Sequence, residues 1–208
     1  MSNLSSKNSP FIFAQLGSLG LAMLLFILSL LTGREALFLA WNVDLGLWAD
    51  QFFSFFTNLA EGWMWIPYLL IVFGWYKRDV LFILLNFLTS TLLTQLPKNY
   101  IWPAVNRPIA SGIPLSKIHT VMGVEVHTYN SFPSGHSATA FVLFFLTVYF
   151  FPHKKVFWIG AAYAIICGYS RIYLGQHFPI DVAGGIIAAI LSFQLSIWIR
   201  NKIKPTPF

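Results

Sequence analysis

The chain has 208 residues, of which 57% are hydrophobic and 10% charged, and its formal charge is +6. A soluble domain carries roughly 25% charged residues, so this composition excludes an ordinary soluble enzyme and a disordered tail. The mean hydropathy of +0.67 is typical of helices that lie in lipid. A single cysteine, Cys167, excludes a fold held by internal disulfides. Basic residues are scattered between apolar runs, so no nucleic-acid partner is expected.

The first apolar run, Phe11–Leu31, has 21 residues without a charge, enough to cross a hydrocarbon core of about 30 Å. A cleaved signal peptide is the alternative, but its apolar region is usually only about 7 to 15 residues long. Five further apolar runs cover residues 63–76, 80–96, 136–151, 156–173 and 180–199. The sequence therefore predicts an all-α fold, a six-transmembrane helix bundle that forms one integral-membrane domain over residues 1–208.

Two segments between the runs are long enough to carry structure of their own. Residues 34–58 mix aromatic side chains with Asp44 and Asp50, which favours a helix along the membrane interface over a disordered loop. Residues 98–133, between spans three and four, are rich in Pro, Ser, His and Asn. They predict a polar loop outside the membrane.

The basic residues predict the orientation of the bundle. One face holds eight of them with a single acid, Asp79, and the opposite face holds five with six acids. The positive-inside rule then places both termini in the cytoplasm and the polar loop outside, as in a bacterial inner membrane. The eight predicted cytoplasmic residues are Lys7, Lys77, Arg78, Lys154, Lys155, Arg200, Lys202 and Lys204.

Ionisable residues collect at the external ends of the predicted spans, where they are costly unless they have a function. Pro133-Ser134-Gly135-His136 opens the fourth span. A Ser cap and a Gly without Cβ leave helix N-terminal amides open to an anion, although capping alone would explain these residue types.

The ends of the last two spans carry a second group. His177 precedes the sixth span and Asp181 lies four residues later, close enough for its carboxylate to orient the imidazole ring. Arg171 ends the fifth span. Taken singly, His177 could be an interfacial residue and Arg171 a headgroup contact. Together with Lys98 and Arg107 from the loop, Arg171 would place three cations around one phosphoryl group.

These residues resemble the three signatures of the type 2 phosphatidic acid phosphatase superfamily. Residues 133–136 read PSGH, and residues 170–181 fit SR-x5-H-x3-D. Residues 98–108 resemble K-x6-RP, with eight residues instead of six between Lys98 and Arg107. The order of the motifs and the hydropathy are similar to those of the membrane branch of lipid phosphatases.

The resemblance implies metal-independent hydrolysis of a lipid phosphomonoester or pyrophosphate through a phosphohistidine, with no cofactor. His177 would be the nucleophile, Asp181 would hold its ring, and His136 would act as general acid and then as general base. The residues expected to bind the substrate phosphate are Lys98, Arg107, Ser134, Gly135 and Arg171.

The sequence indicates the type of reaction more clearly than it indicates the substrate. An outward-facing site favours undecaprenyl pyrophosphate, with a lipid A phosphate, phosphatidylglycerol phosphate and phosphatidic acid as alternatives. A membrane channel or transporter would also carry boundary charges, but it predicts ionisable residues in the middle of several spans. His119, Glu125 and His127 are expected to be solvated loop residues. The number of subunits is left open.

Overall fold

The computed structural model describes residues 3–203, apart from the side chains of residues 3–9 and of Arg78. Eight α-helices make up most of this part of the chain. They are α1 (Asn3–Thr32), α2 (Arg34–Trp41), α3 (Leu47–Asn58), α4 (Trp65–Trp75), α5 (Val80–Leu96), α6 (Gly135–Phe150), α7 (Lys154–Tyr173) and α8 (Pro179–Ile203). The predicted all-α class is thus confirmed. Lys204, predicted to be cytoplasmic, lies outside the described residues, as do the side chains of Lys7 and Arg78.

Some of the described helices are long enough to cross a membrane, and others are shorter. In residues 3–203, four apolar segments reach the necessary length: Pro10–Thr32, Val80–Ile101, Lys154–Tyr173 and Pro179–Ile203. The second and fourth predicted spans are shorter, at Gly62–Trp75 and Gly135–Phe150. The 16 residues of α6 extend over about 24 Å, against a hydrocarbon core of about 30 Å. A count of six spans therefore remains a prediction.

Helix α6 forms the centre of the bundle. None of its residues is exposed, and it packs against α5, α7 and α8. The outer helices instead present large apolar side chains on the surface, among them Leu31, Trp75 and Ile159, each more than two-thirds exposed. Such an apolar outer surface is what a lipid environment stabilises. α6 is short because it lies inside the protein, where its N-terminus can carry polar groups.

Two adjacent glycines allow α8 to approach the segment that leads into α6. A Cβ on Gly184 would lie 2.4 Å from the Phe132 ring. A Cβ on Gly185 would lie 2.4 Å from the Ser134 carbonyl oxygen. Both distances are far below van der Waals contact. Only glycine fits at position 185, where the neighbour is backbone, and a side chain at position 184 would displace the Phe132 ring. The close approach brings the first turn of α6 next to the first turns of α8.

The predicted interfacial helix at residues 34–58 is two helices, α2 and α3. They are separated by residues 42–46, where Gly46 has a φ of +87° and its N–H donates to Asp44 Oδ1 over 2.8 Å. Helix α3 packs along α7. The Tyr163 hydroxyl of α7 donates to the Leu59 carbonyl over 2.6 Å, directly after α3. These contacts fix residues 57–61 beside the end of the bundle that carries the polar loop.

The polar loop between α5 and α6 is held to the bundle by side chains of other elements. Asn42 accepts a hydrogen bond from the His119 backbone N–H over 2.7 Å and donates to the carbonyls of Ile172 and Tyr173. The loop contains short 3₁₀ turns at Pro108–Ala110 and Leu115–Lys117. Because of this anchoring, it lies across the end of the bundle where α5 and α7 finish and α6 and α8 begin.

Candidate active site

Six of the eight predicted site residues line one cavity of about 420 Å³ at this end of the bundle. The cavity is formed where α5 and α7 end and where α6 begins. Polar and charged side chains line much of it, and Trp65 and Phe87 line it as well. The six predicted residues are Lys98, Arg107, Gly135, His136, Arg171 and His177. Antiparallel helices thus bring together residues that are up to 79 positions apart in the sequence.

His177 and Asp181 form a buried pair at the base of this site. His177 Nδ1 lies 3.4 Å from Asp181 Oδ2, and both side chains are almost completely buried. The pair spans the turn into α8, because Pro179 begins that helix and Asp181 falls in its first turn. Asp181 itself does not line the cavity. It lies behind His177, in position to orient the ring.

Burial lowers the pKa of His177 well below its usual value of 6.5. The positive charges of Arg107, Lys98 and Arg171 act in the same direction. Both causes disfavour the imidazolium, so the ring is neutral at pH 7. A neutral imidazole with a carboxylate at Nδ1 has its Nε2 lone pair free for nucleophilic attack.

Lys98 reaches the N-terminus of α6 from a turn of π-helix at Pro97–Ile101. The Trp102 N–H donates to the Pro97 carbonyl over 2.7 Å, which closes this wider turn. Lys98 is buried, and its Nζ lies 3.9 Å from the position that a Cβ on Gly135 would occupy. The wide turn takes up part of the longer spacing to Arg107, and both cations line the cavity.

Side-chain hydrogen bonds hold both arginines, three at Arg107 and one at Arg171. Arg107 Nε donates to the Tyr129 carbonyl over 2.9 Å, and its Nη1 donates to Gln176 Oε1 over 3.2 Å. Arg171 Nη1 donates to the Thr57 hydroxyl at the end of α3. The buried Arg171 Nε lacks an acceptor among the described residues. A buried donor of this kind needs a partner, and an anion in the cavity would supply one.

Ser134 has a different position from the other predicted phosphate-binding residues. It is the N-cap of α6 and does not line the cavity. Its hydroxyl oxygen accepts from the Ser137 hydroxyl over 2.9 Å and from the Ser137 N–H over 3.3 Å. Its own N–H donates to the Asp181 carbonyl over 2.9 Å. These bonds fix the first turn of α6, and a direct role for Ser134 at the phosphate stays a prediction.

Sequence reasoning missed several polar residues that contact the predicted ones. Ser131 donates to Asp181 Oδ2, Gln176 supports Arg107, and Glu61 faces His136. Gln176 lies within the third motif, directly before His177, and this position next to the proposed nucleophile is the sequence signal that points to it. Ser131 and Glu61 come from segments far apart in sequence from their partners, so no local pattern marks them.

The three loop residues that the sequence predicts to be solvated have different surroundings. His127 lines the cavity and is half exposed, and its Nδ1 lies 3.6 Å from Glu125 Oε1. The Glu125 backbone carbonyl accepts from the Gln176 side-chain amide over 2.7 Å. His119 Nε2 lies 3.0 Å from Asp50 Oδ1, away from the cavity. His127 is thus the loop histidine that the fold brings to the site.

A group of potential metal ligands lies apart from this cavity. Ligand atoms of Asp44, Asp50 and His119 all lie within 4.8 Å of one another. Sequence spacing gives no sign of this group, because His119 comes 69 residues after Asp50. Asp50 Oδ1 accepts from the Tyr173 hydroxyl over 2.6 Å and faces His119 Nε2. These contacts tie the polar loop to α3 and α7.

Comparison with known proteins agrees with the motifs. The family model described as "PAP2 superfamily" matches residues 79–205. Phosphatidylglycerophosphatase B of Bacillus subtilis is 30% identical over 172 residues, which are 76% of this chain and 78% of the relative. Undecaprenyl-diphosphatase BcrC of the same organism is 34% identical over 88 residues, 42% of this chain and 45% of the relative.

A solved structure shares the arrangement of helices as well. It is the crystal structure of the first transmembrane PAP2-type phosphatidylglycerolphosphate phosphatase from Bacillus subtilis. The TM-score is 0.65 at 30% sequence identity, and the match covers 96% of this chain and all of that chain. The family match extends over more than half of the sequence and contains all three motifs. The chain therefore belongs to the PAP2 superfamily.

Proposed function

We propose that the protein is a membrane lipid phosphatase that works through a phosphohistidine at His177. The observation that carries this proposal is the buried His177–Asp181 pair in a cavity lined by Lys98, Arg107 and Arg171. A neutral nucleophile and three fixed cations are what phosphoryl transfer requires, because its catalysis depends mainly on positioning and charge stabilisation. The side-chain cations supply the positive charge, and we propose no metal requirement.

In the first step His177 Nε2 attacks the phosphorus atom of the substrate. A P–N bond forms, the P–O bond to the lipid breaks, and its electron pair goes to the lipid oxygen. His136 donates the proton that this oxygen takes up, so the lipid leaves as an alcohol or, from a pyrophosphate, as a lipid phosphate. Lys98, Arg107, Arg171 and the Gly135 amide stabilise the charge on the phosphoryl oxygens.

In the second step water hydrolyses the phosphohistidine. His136, now neutral, takes a proton from the attacking water, whose oxygen bonds to phosphorus as the P–N bond breaks. The electron pair of that bond returns to the His177 ring, and inorganic phosphate leaves. One water is consumed, and each histidine ends in the protonation state in which it began.

A lipid substrate is supported by the composition of the cavity wall. Trp65 and Phe87 line the same cavity as the charged residues, and they stack edge to face at 5.5 Å between ring centroids. A phosphate held by the cations would therefore have apolar side chains in the same cavity for its attached chain. The ionisable residues lie at the ends of the predicted spans and not in the middle of several of them, which favours an enzyme over a channel or transporter.

We propose that the site faces the exterior or periplasm, with both termini in the cytoplasm. The loop charges support this orientation through the positive-inside rule. An external site suits undecaprenyl pyrophosphate, and one relative is named for that activity. Another is named for phosphatidylglycerophosphate. We therefore take the polyprenyl pyrophosphate as the first substrate, with lipid A phosphate, phosphatidylglycerol phosphate and phosphatidic acid as the competing ones.

The test is release of phosphate by purified protein in detergent, with the four lipids compared at equal surface concentration. The expected preference is for undecaprenyl pyrophosphate, with turnover unchanged by EDTA and inhibited by vanadate, a mimic of five-coordinate phosphorus. A strong preference for one of the other lipids would overturn the assignment of undecaprenyl pyrophosphate as the first substrate. A strict metal requirement would overturn the mechanism.

A further inference from the structure

We infer that Glu61 is a positioning residue for His136, holding it as the proton donor to the leaving group. The inference rests on the proposed function, since it assigns the support of the general acid in that reaction. Glu61 Oε1 lies 3.8 Å from His136 Nε2. That nitrogen is buried and has no hydrogen-bond partner among the described residues. A small movement of the Glu61 carboxylate would give this nitrogen an acceptor.

The backbone around Glu61 is fixed beside the site by contacts on both sides. Thr57 accepts from Arg171, and the Leu59 carbonyl accepts from Tyr163 of α7 over 2.6 Å. Ala60 is completely buried and lines the catalytic cavity. The Glu61 side chain, at 45% exposure, keeps the freedom to shorten its distance to His136. The segment is held firmly while its carboxylate can move.

Glu61 also lines a second cavity, of about 450 Å³, which His136 and Arg171 share with the catalytic one. His136 therefore lies in the wall between a cavity lined by cations and one that contains carboxylates. The carboxylates of this second cavity are those of Glu61 and Glu125.

The charge around His136 explains why a carboxylate is needed. A general acid must carry its proton when the substrate is bound, yet nearby positive charge favours its loss. Glu61 offsets this by accepting from one nitrogen of the imidazolium, which leaves the second N–H for the lipid oxygen. Asp181 plays the equivalent part for His177. The titratable and charged groups that line the two cavities with His136 are Lys98, Arg107, Arg171, His127, His177, Glu61 and Glu125.

The leaving group distinguishes this role from a structural one. Dioleoyl phosphatidic acid loses an alkoxide and needs a proton, whereas p-nitrophenyl phosphate loses a stable anion and does not. We expect Glu61→Gln to lower kcat/KM for phosphatidic acid by about 10- to 100-fold. For p-nitrophenyl phosphate the expected loss is under about 3-fold, because that leaving group draws little on the general acid.

Two further variants complete the experiment. Glu61→Asp keeps the carboxylate and is expected to recover much of the phosphatidic acid activity. Glu35→Gln removes an exposed carboxylate in the first turn of α2 that lines neither cavity, and it is expected to leave both activities unchanged. The alkaline limb of the pH profile for phosphatidic acid is expected to move to lower pH in Glu61→Gln, since His136 would lose its proton more readily.

An equal loss on both substrates in Glu61→Gln would overturn the inference, because a partner of Arg171 or a purely structural residue would affect both. Full activity of the variant on phosphatidic acid would overturn it as well. Unaltered protein that releases phosphate from neither of these substrates nor from undecaprenyl pyrophosphate would overturn the proposed function, and with it this role for Glu61. The two failures are therefore distinguishable by the behaviour of the unaltered protein.

Discussion

Ser131 Oγ donates a hydrogen bond to Asp181 Oδ2 over 2.5 Å, and this oxygen is the one that faces His177 Nδ1. The Phe178 N–H donates to the same oxygen over 2.9 Å. Ser131 and Asp181 are both buried. The Ser131 N–H donates to the Val105 carbonyl over 3.1 Å, which fixes the position of Ser131. The polar loop thus controls where the carboxylate lies relative to the proposed nucleophile.

Ser131→Ala is therefore expected to lower kcat by roughly 10- to 150-fold with little change in KM, because a hydrogen bond to a charged group is worth roughly 1.5 to 3 kcal/mol. Ser131→Thr keeps the hydroxyl and is expected to recover most of the rate. Steady-state kinetics on a lipid phosphate measures both. Ser116→Ala, at an exposed position of the same loop, is the control. Normal kcat in Ser131→Ala would show that Phe178 alone suffices to hold Asp181.

Lys98→Ala is expected to lower kcat/KM by roughly 30- to 1,000-fold, since a charge-assisted contact made in the transition state is worth about 2 to 4 kcal/mol. Lys98 is buried in the cavity wall, whereas Lys117 is exposed and does not line that cavity. Lys117→Ala is thus the matched control and should keep normal activity. Loss of activity in Lys117→Ala together with a normal kcat/KM in Lys98→Ala would assign the phosphate contact to Lys117 instead.

The low pKa of His177 predicts how its ring titrates. Because burial and the three nearby cations disfavour the imidazolium, the ring should still be neutral at pH 6.5, where a free histidine is half protonated. The unfolded chain binds that proton and the folded chain does not, so stability should fall as the pH drops below 6.5. ¹⁵N NMR of the ligand-free protein in detergent, assigned with His177→Asn, measures the titration. A midpoint at or above 6.5 would contradict it.

The orientation of the bundle predicts which side of the membrane each loop occupies. Single cysteines at Ser116 and Lys155, in a Cys167→Ser background, are exposed to an impermeant thiol reagent on intact cells. We expect labelling at Ser116, in the polar loop, and none at Lys155 until the membrane is opened. Labelling of the Lys155 cysteine alone in intact cells would invert the proposed topology.

Much of the site could be predicted from the sequence because its residues lie in short local motifs. His177 and Asp181 are four residues apart, and a turn leading into a helix necessarily brings them together. Gly135 and His136 likewise share the first turn of α6. The outlines of the helices followed from hydropathy for the same reason, since each apolar run reports on its own length and composition.

The rest depends on contacts between distant segments, which local patterns do not reveal. Glu61 and Ser131 reach the site only because α3 packs on α7 and because the polar loop folds back over the bundle. The division of residues 34–58 into two helices depends on the positive φ of Gly46, which hydropathy does not report. Ser134 fits an anion-binding pattern by type, yet its hydroxyl is engaged with Ser137.

The most direct test of the account is detection of phosphate covalently bound to His177. The protein is mixed with a ³²P-labelled lipid phosphate and quenched in alkali, in which phosphohistidine is stable, and the labelled peptide is identified by mass spectrometry. We predict acid-labile label on His177 in the unaltered protein, and neither label nor turnover in His177→Ala. Turnover that persists in His177→Ala, or label on a different residue, would contradict the mechanism.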